Sequence, residues 1–280
     1  MTEPLLKKPQ PIIVIDRFPG ILSALIDLLS GLSADDWDSP TACPSWSVKD
    51  VALHLLGDDV VMLSRGRDRQ PSQFSSHSWD QLVAFINQSN ETWVQATRRI
   101  SPRLLIDLLK LTGTQVIAYF ESLDPYAMGD PVSWAGADPA PVWLDLAREY
   151  TERWHHQQHI RDAVGRKGLK EPRFFAPVLD AFVRALPHTF RDTQAVDGTL
   201  VALTISGPTG GRWFLLRGGE NWELYESAPR MPQAEVIVDQ DVAWRVFTRG
   251  LSKEEALPLV TLVGDTSLGE RVLDTVSIIA

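Results

Sequence analysis

The chain has 280 residues, 44% of them hydrophobic, enough to bury more than one core. Its net charge of −9 and pI near 5.2 argue against nucleic acid as a partner, because neutralising phosphates takes clustered Lys and Arg. A single cysteine, Cys43, excludes a disulfide framework within the chain. No apolar run approaches the ~20 residues of a membrane span, and the run at 11–15 is too short for a signal peptide. The expectation is a cytoplasmic protein with no membrane partner, acting as a monomer or homodimer.

In chain order, residues 18–32 carry apolar side chains at helical spacing. Residues 47–63 follow, entered through a Cys-Pro-Ser-Trp turn, with Ser47 as N-cap and Asp50 three residues on as a partner for the helix dipole. Residues 79–100 and 102–123 read as two more helices, the second capped by Ser101. A Pro-, Gly- and Ala-rich loop (124–141) leads to a helix over 142–164, which Gly165 ends as a C′ glycine. Long helices with short connections predict an antiparallel bundle over 1–166.

After a short linker the pattern changes. Residues 174–186 read as a helix. Strand-like runs then follow at 199–205, 213–217, 222–225 and 234–238, divided by turn residues. Two helical stretches, 242–250 and 268–279, flank a last strand at 260–263. The 172–280 segment therefore reads as a smaller α+β domain with a mainly antiparallel sheet.

The chemistry concentrates in residues 149–162. Three of the six histidines, His155, His156 and His159, sit there with Glu149 and Glu152. At ~100° per residue, Asp145, Glu149, Glu152, His156 and His159 share a stripe about 80° wide, and His155 falls outside it. An apolar seam of Leu146, Tyr150, Ile160 and Val164 lies nearest His156, which makes His156 the histidine expected to be semi-buried. Glu152 and His156 stand at i, i+4, so a carboxylate and an imidazole can reach one divalent ion. One helix rarely closes a site, and His54 on the second helix is the candidate third ligand, flanked at i±4 by Asp50 and Asp58. His77, in a Ser-rich loop, and His188, in the second half, are less useful. Cys43 has no base adjacent in sequence and reads as a packing residue. Asp145 and Glu149 read as solvated or supporting groups, Trp46 as an anchor of the second helix, and Arg161 as structural. Asp162 and Arg166 are placed to pair at the helix end.

Residues 39–57 (Ser-Pro-Thr-Ala-Cys-Pro-Ser-Trp-Ser-Val-Lys-Asp-Val-Ala-Leu-His-Leu-Leu-Gly) resemble the first signature of the mycothiol-dependent maleylpyruvate isomerase family, part of a wider DinB-like metalloprotein group. The second signature, Glu-x-x-x-His followed by Gln-Gln-Asp-Ile-Arg-x-Ala-Leu-Gly, is matched by Glu152-Arg-Trp-His-His156-Gln-Gln-His159-Ile-Arg-Asp-Ala-Val-Gly165. The second half is similar to the family's C-terminal, sterol-carrier-like domain. The resemblance implies an all-α DinB-like four-helix bundle followed by that α+β domain, with His54, Glu152 and His156 as metal ligands. His159 stands where many relatives have Asp. It is the candidate catalytic residue: a fourth ligand, a base at the site's edge, or a neutral replacement. An alternative ligand set of His54, His155 and His159 stays open.

Three protein ligands leave positions open on the ion, the arrangement of catalytic rather than structural zinc; nickel and manganese are alternatives. By the resemblance, the cofactor is a low-molecular-weight thiol such as mycothiol, bound as thiolate. In the reaction that names the family, the thiolate adds to a cis-enoyl acid, the carbon–carbon bond rotates, and elimination gives the trans isomer. Relatives instead transfer such thiols to electrophiles. An Arg for the substrate carboxylate is expected, with Arg217, Arg245 and Arg249 as suppliers. The same metal activating water would make a hydrolase. A binding module holding an apolar small molecule, with a structural or vestigial metal, is the reading from another class.

Overall fold

The computed structural model describes residues 6–71 and 78–278. The chain forms a helical N-terminal region and a C-terminal part built on a mainly antiparallel sheet. Its contacts group into two units. One comprises Val14–Asp124 and Glu149–Leu169. The other comprises the described residues of Met1–Ile13, Pro125–Arg148 and Lys170–Ile279.

The helical unit holds α1 (Phe18–Ser30), α2 (Val48–Val61), α3 (Trp79–Thr97), α4 (Pro102–Glu121) and, from Glu149 onward, the long α5 (Val142–Ala163). Each follows the periodicity of its sequence to within a few residues. Ser47 caps α2 through a reciprocal capping box with Asp50: the Asp50 N–H donates to Ser47 Oγ, and the Ser47 N–H donates to the Asp50 carboxylate. Ser78 and Ser101 cap α3 and α4 without that reciprocity, each serine side chain accepting one backbone N–H. The core joins Leu25 and Leu29 of α1, Val51, Leu53 and Leu56 of α2, Val94 of α3, Leu105 and Leu109 of α4 and Ile160 of α5. α2 is buried along nearly its whole length, including Asp50, His54 and Asp59. A helix apolar on most sides is one packed on most sides, so its polar residues are held inside the unit. Past Val61, α2 runs into a π-helical segment, Met62–Arg67, that its periodicity does not announce.

The second unit holds a two-stranded pair, β1 (Met128–Gly129) with β2 (Ala140–Pro141), and α6 (Pro172–Val183), α7 (Leu186–Phe190), α8 (Gln240–Phe247), α9 (Lys253–Ala256) and α10 (Thr266–Arg271). Its main sheet comprises β3 (Leu200–Ser206), β4 (Gly211–Gly218), β5 (Asn221–Tyr225), β6 (Ala234–Asp239) and β7 (Val260–Gly264), ordered β5-β4-β3-β6-β7. All neighbouring pairs are antiparallel except β3 with β6, where Leu203 faces Val236 in parallel register. The expected helix 174–186 instead ends at Val183, and Pro187 opens a separate short helix, α7. The expected helix 268–279 is cut to α10 and a 3-10 turn, Val272–Asp274; its last residue lies outside the described segments. Gly165 ends α5 with a φ of 65°, the left-handed conformation that glycine adopts without strain.

Candidate metal centre

Two helices carry the centre. α2 presents His54, which is buried among apolar neighbours of the same helix, and α5 presents Glu152 and His156 one turn apart. The His54 and His156 Nε2 atoms stand 3.1 Å apart, and Glu152 Oε2 is 3.4 Å from His156 Nε2. One donor atom from each of the three lies within 4.8 Å of the others. Two nitrogens each ~2.0–2.1 Å from one zinc ion stand about 3.3 Å apart at a tetrahedral angle, so the pair is spaced to share an ion. The donor set, two imidazoles and a carboxylate, suits a borderline divalent metal. Burial drives the His54 imidazole down to about 4, against the pull of Glu152, and holds His156 well below its ordinary value, with His155 and His54 adding to the effect. Both rings are therefore neutral at physiological pH and offer lone pairs.

Charged groups ring this triad. Asp58 Oδ2 lies 3.3 Å from His54 Nε2. Burial, then Glu149 and Glu152, raise its carboxyl well above the usual range. Asp50, the other i±4 neighbour, is turned away and accepts Arg98 Nε and Nη2 at 2.9 and 3.0 Å. Arg153 lies buried between two carboxylates, donating to Glu149 Oε2 at 2.6 Å and Asp59 Oδ1 at 2.9 Å. Asp59 also accepts from the Thr112 hydroxyl at 2.8 Å. Burial alone would lower Arg153, but Glu149 and Asp59 hold it above its ordinary value. Beside this group a cavity of about 30 Å³, lined by Asp59, Arg153, Gln157 and apolar side chains, has room for a water but not for a cofactor.

The other histidines differ from the helical-phase reading. His155, set aside by phase, is 3% exposed, less than the 7% of His156. Helical phase ranks side chains against one apolar seam, whereas α5 is buried on several sides, with Tyr150, Thr151, Trp154, Gln157 and Arg161 also inside. The His155 Nδ1–H donates to the Thr151 carbonyl at 3.1 Å, which fixes the proton on Nδ1, and its ring stacks 4.1 Å from that of His156. His159 turns to Cys43, with Nδ1 3.1 Å from Sγ. No base adjoins Cys43 in sequence, but α5 brings an imidazole to its thiol. Burial nonetheless raises the Cys43 thiol to about 11, with Thr41 opposing and Glu152 adding to the rise. His188 belongs to the second unit, and His77 lies outside the described residues.

Glu149 is not solvated but buried against Arg153, and Asp145 pairs with Arg148. Trp46 is half-buried; it donates to Glu91 at 2.8 Å and packs on His54. Arg161 donates to the Lys167 and Ala24 carbonyls, a structural role. Arg217, Arg245 and Arg249 all lie in the second unit. There Arg217 donates to the Glu220 carbonyl and Arg245 to that of Asp241. Arg153 and Asp59 were missed from the sequence. Their available signals were the i, i+4 relation of Arg153 to Glu149 and the adjacent carboxylates Asp58 and Asp59 in a helix rich in apolar residues.

Residues 18–161, more than half of the chain, match the family model described as the mycothiol maleylpyruvate isomerase N-terminal domain. No curated protein matches the chain. Among solved structures, the chain is similar to a mycothiol-dependent maleylpyruvate isomerase at 11% identity and a TM-score of 0.50, covering 84% of this chain and 88% of that one. It is also similar to a histidine-to-alanine mutant of a mycothiol-dependent maleylpyruvate isomerase at 12% identity and a TM-score of 0.53, covering 89% and 90%. At these identities the likeness is one of fold. Among the described residues no helix is long and apolar enough to cross a membrane.

Proposed function

The chain belongs to the mycothiol maleylpyruvate isomerase N-terminal domain family, and from that premise we propose that it is a divalent-metal-dependent enzyme working with a low-molecular-weight thiol of the mycothiol type. Its substrate is a small electrophile: a maleylpyruvate-like cis-enoyl acid that it isomerises, or an acceptor to which it transfers the thiol. The observation that carries this reading is the convergence of His54, Glu152 and His156, with the two Nε2 atoms 3.1 Å apart.

His54, Glu152 and His156 would hold the ion, zinc being the metal that best suits two nitrogens and one oxygen. When bound, the ion supplies Lewis acidity and stabilises a thiolate at neutral pH. The chain's own residues prepare the site for that chemistry. Burial keeps both imidazoles neutral, so neither must lose a proton to become a ligand. With one carboxylate the donor set carries a single negative charge, which leaves a divalent ion net positive toward an anionic thiol or substrate. Asp58 Oδ2 stands 3.3 Å from His54 Nε2, and burial, with Glu149 and Glu152 adding to it, makes its carboxyl easier to protonate than an ordinary carboxylate. Arg153 pairs with both Glu149 and Asp59, so its single positive charge offsets part of theirs near the triad.

The test is metal content followed by activity. The protein purified without chelator is assayed for zinc, nickel and manganese per chain, stripped, reconstituted, and then incubated with a cis-enoyl acid with and without thiol. One ion per chain and turnover that needs both ion and thiol is the expected result. A chain that takes up no stoichiometric metal after reconstitution overturns the reading.

A further inference from the structure

Beside the first donor triad lies a second. Cys43 Sγ, one His159 nitrogen and one His156 nitrogen lie within 4.8 Å of one another, and Sγ stands 3.1 Å from His159 Nδ1. The two groups share His156. Within the first group its Nε2 faces His54 and Glu152; its Nδ1 is buried without a hydrogen-bond partner. A ligating histidine ordinarily donates its other N–H to a carbonyl or carboxylate; His156 Nδ1 has no such partner, so no hydrogen bond fixes which of its two nitrogens carries the proton and which offers the one lone pair.

Cys43 is held in place rather than left on a loose loop. Its N–H donates to Thr41 Oγ1 at 3.2 Å, its carbonyl accepts the Trp46 N–H at 3.1 Å, and the Thr41 hydroxyl donates to the Trp46 carbonyl at 2.9 Å. Ser45 takes a φ of 67° to close that turn. The sulfur is thus presented to α5 by a hydrogen-bonded turn, with the His159 imidazole beside the partly buried thiol.

We infer that Cys43 and His159 form a second, sulfur-bearing donor set at this centre, sharing His156 with the first, and that this set makes the site select thiophilic ions such as zinc, cobalt or cadmium over manganese or magnesium. The inference rests on the metal-centre reading above and adds to it the sulfur ligand and the selectivity. Soft thiolate favours these metals, whereas carboxylate and water suit the harder ones. On binding, the Cys43 S–H bond breaks, its electron pair goes to the ion, and one proton is released to solvent.

Cobalt(II) tests this directly, because thiolate-to-cobalt charge transfer absorbs in the near ultraviolet where nitrogen and oxygen ligands do not. The full chain is stripped, loaded with cobalt chloride, and compared with C43S and H159A at matched cobalt content, with circular dichroism checking the fold. The near-ultraviolet band is expected in the parent chain, lost in C43S at undiminished cobalt, and weakened in H159A. In competition, C43S is expected to lose its preference for cadmium over manganese by about tenfold or more, the scale on which a ligand-shell change moves metal affinity. Cobalt bound without a near-ultraviolet band, or a band that survives in C43S, overturns this inference and leaves the first triad standing. A parent chain that binds no cobalt overturns the metal-centre reading itself.

Discussion

Arg153 of α5 and Asp59 of α2 meet at 2.9 Å inside the helical unit, with side chains 11% and 6% exposed. Glu149 joins them from one turn earlier on α5, so one guanidinium serves two carboxylates. The Arg153 guanidinium also lies over Phe120 of α4, 5.7 Å from the ring centroid.

Removing Arg153 therefore leaves two carboxylates buried and unpaired. Arg153→Met is expected to destabilise the protein by about 3–5 kcal/mol, read as a lower midpoint in urea. Adding Asp59→Asn and Glu149→Gln to that variant should recover a large part of the loss, because neutral amides carry no uncompensated charge. A loss below about 1 kcal/mol in Arg153→Met would show the cluster to be solvated rather than buried.

The triad predicts a pattern across the four histidines of α2 and α5. His54→Ala, His156→Ala and Glu152→Gln should each weaken metal binding by at least about 100-fold, beyond the 10–100-fold typical of supporting residues. His155→Ala should leave metal content intact, because His155 belongs to neither group of converging donor atoms. His159→Asp should also keep the metal. Equilibrium dialysis against zinc checks all five. Loss of metal in His155→Ala with retention in His156→Ala would instead favour the His54, His155 and His159 set.

The long helices were legible from their apolar stripes, with caps marking several of their ends. Ser47 with Asp50 and Ser101 with Pro102 mark starts, and Gly165 marks an end, all from local chemistry. The i, i+4 relation of Glu152 to His156 was legible for the same reason. The contacts of Cys43 with His159 and of Asp59 with Arg153 were not. Each joins positions on different elements, and no local propensity records which faces of two helices will oppose each other. The burial of His155 was misread because helical phase ranks side chains against one seam, whereas α5 packs on several. The π-helical segment after α2 and the break between α6 and α7 depend on packing at helix ends, where periodicity is weakest.

Ser45 closes the turn that presents Cys43, in a left-handed conformation disfavoured by roughly 1–2 kcal/mol for a residue with a Cβ. Ser45→Gly should remove that strain and raise stability by up to about 1 kcal/mol, the gain being offset in part by glycine's larger backbone entropy. Ser45→Val should lower it, since a branched Cβ fits the left-handed region worst. Thermal unfolding of the two variants checks the sign. Equal melting temperatures would mean the turn relaxes at no cost.

Asp50 gives a pH dependence with a definite sign. Burial pulls its carboxyl upward, but the two hydrogen bonds from Arg98 and those from Ser47 outweigh that and hold it below the ordinary carboxylate value. A group whose folded pKa is depressed contributes its full stability above its unfolded value, ~3.9 for Asp, and loses that contribution as pH falls through the folded value. Arg98 is half-exposed, so solvent screens part of the pairing. Asp50→Asn should accordingly cost about 1–2 kcal/mol near neutral pH, combining a weakened N-cap with the lost ion pair. The difference between parent and variant, measured by urea denaturation at stepped pH, should stay constant down to about pH 4 and then shrink. A difference that stays the same well below that point would assign the Asp50 contribution to hydrogen-bond geometry rather than to its charge.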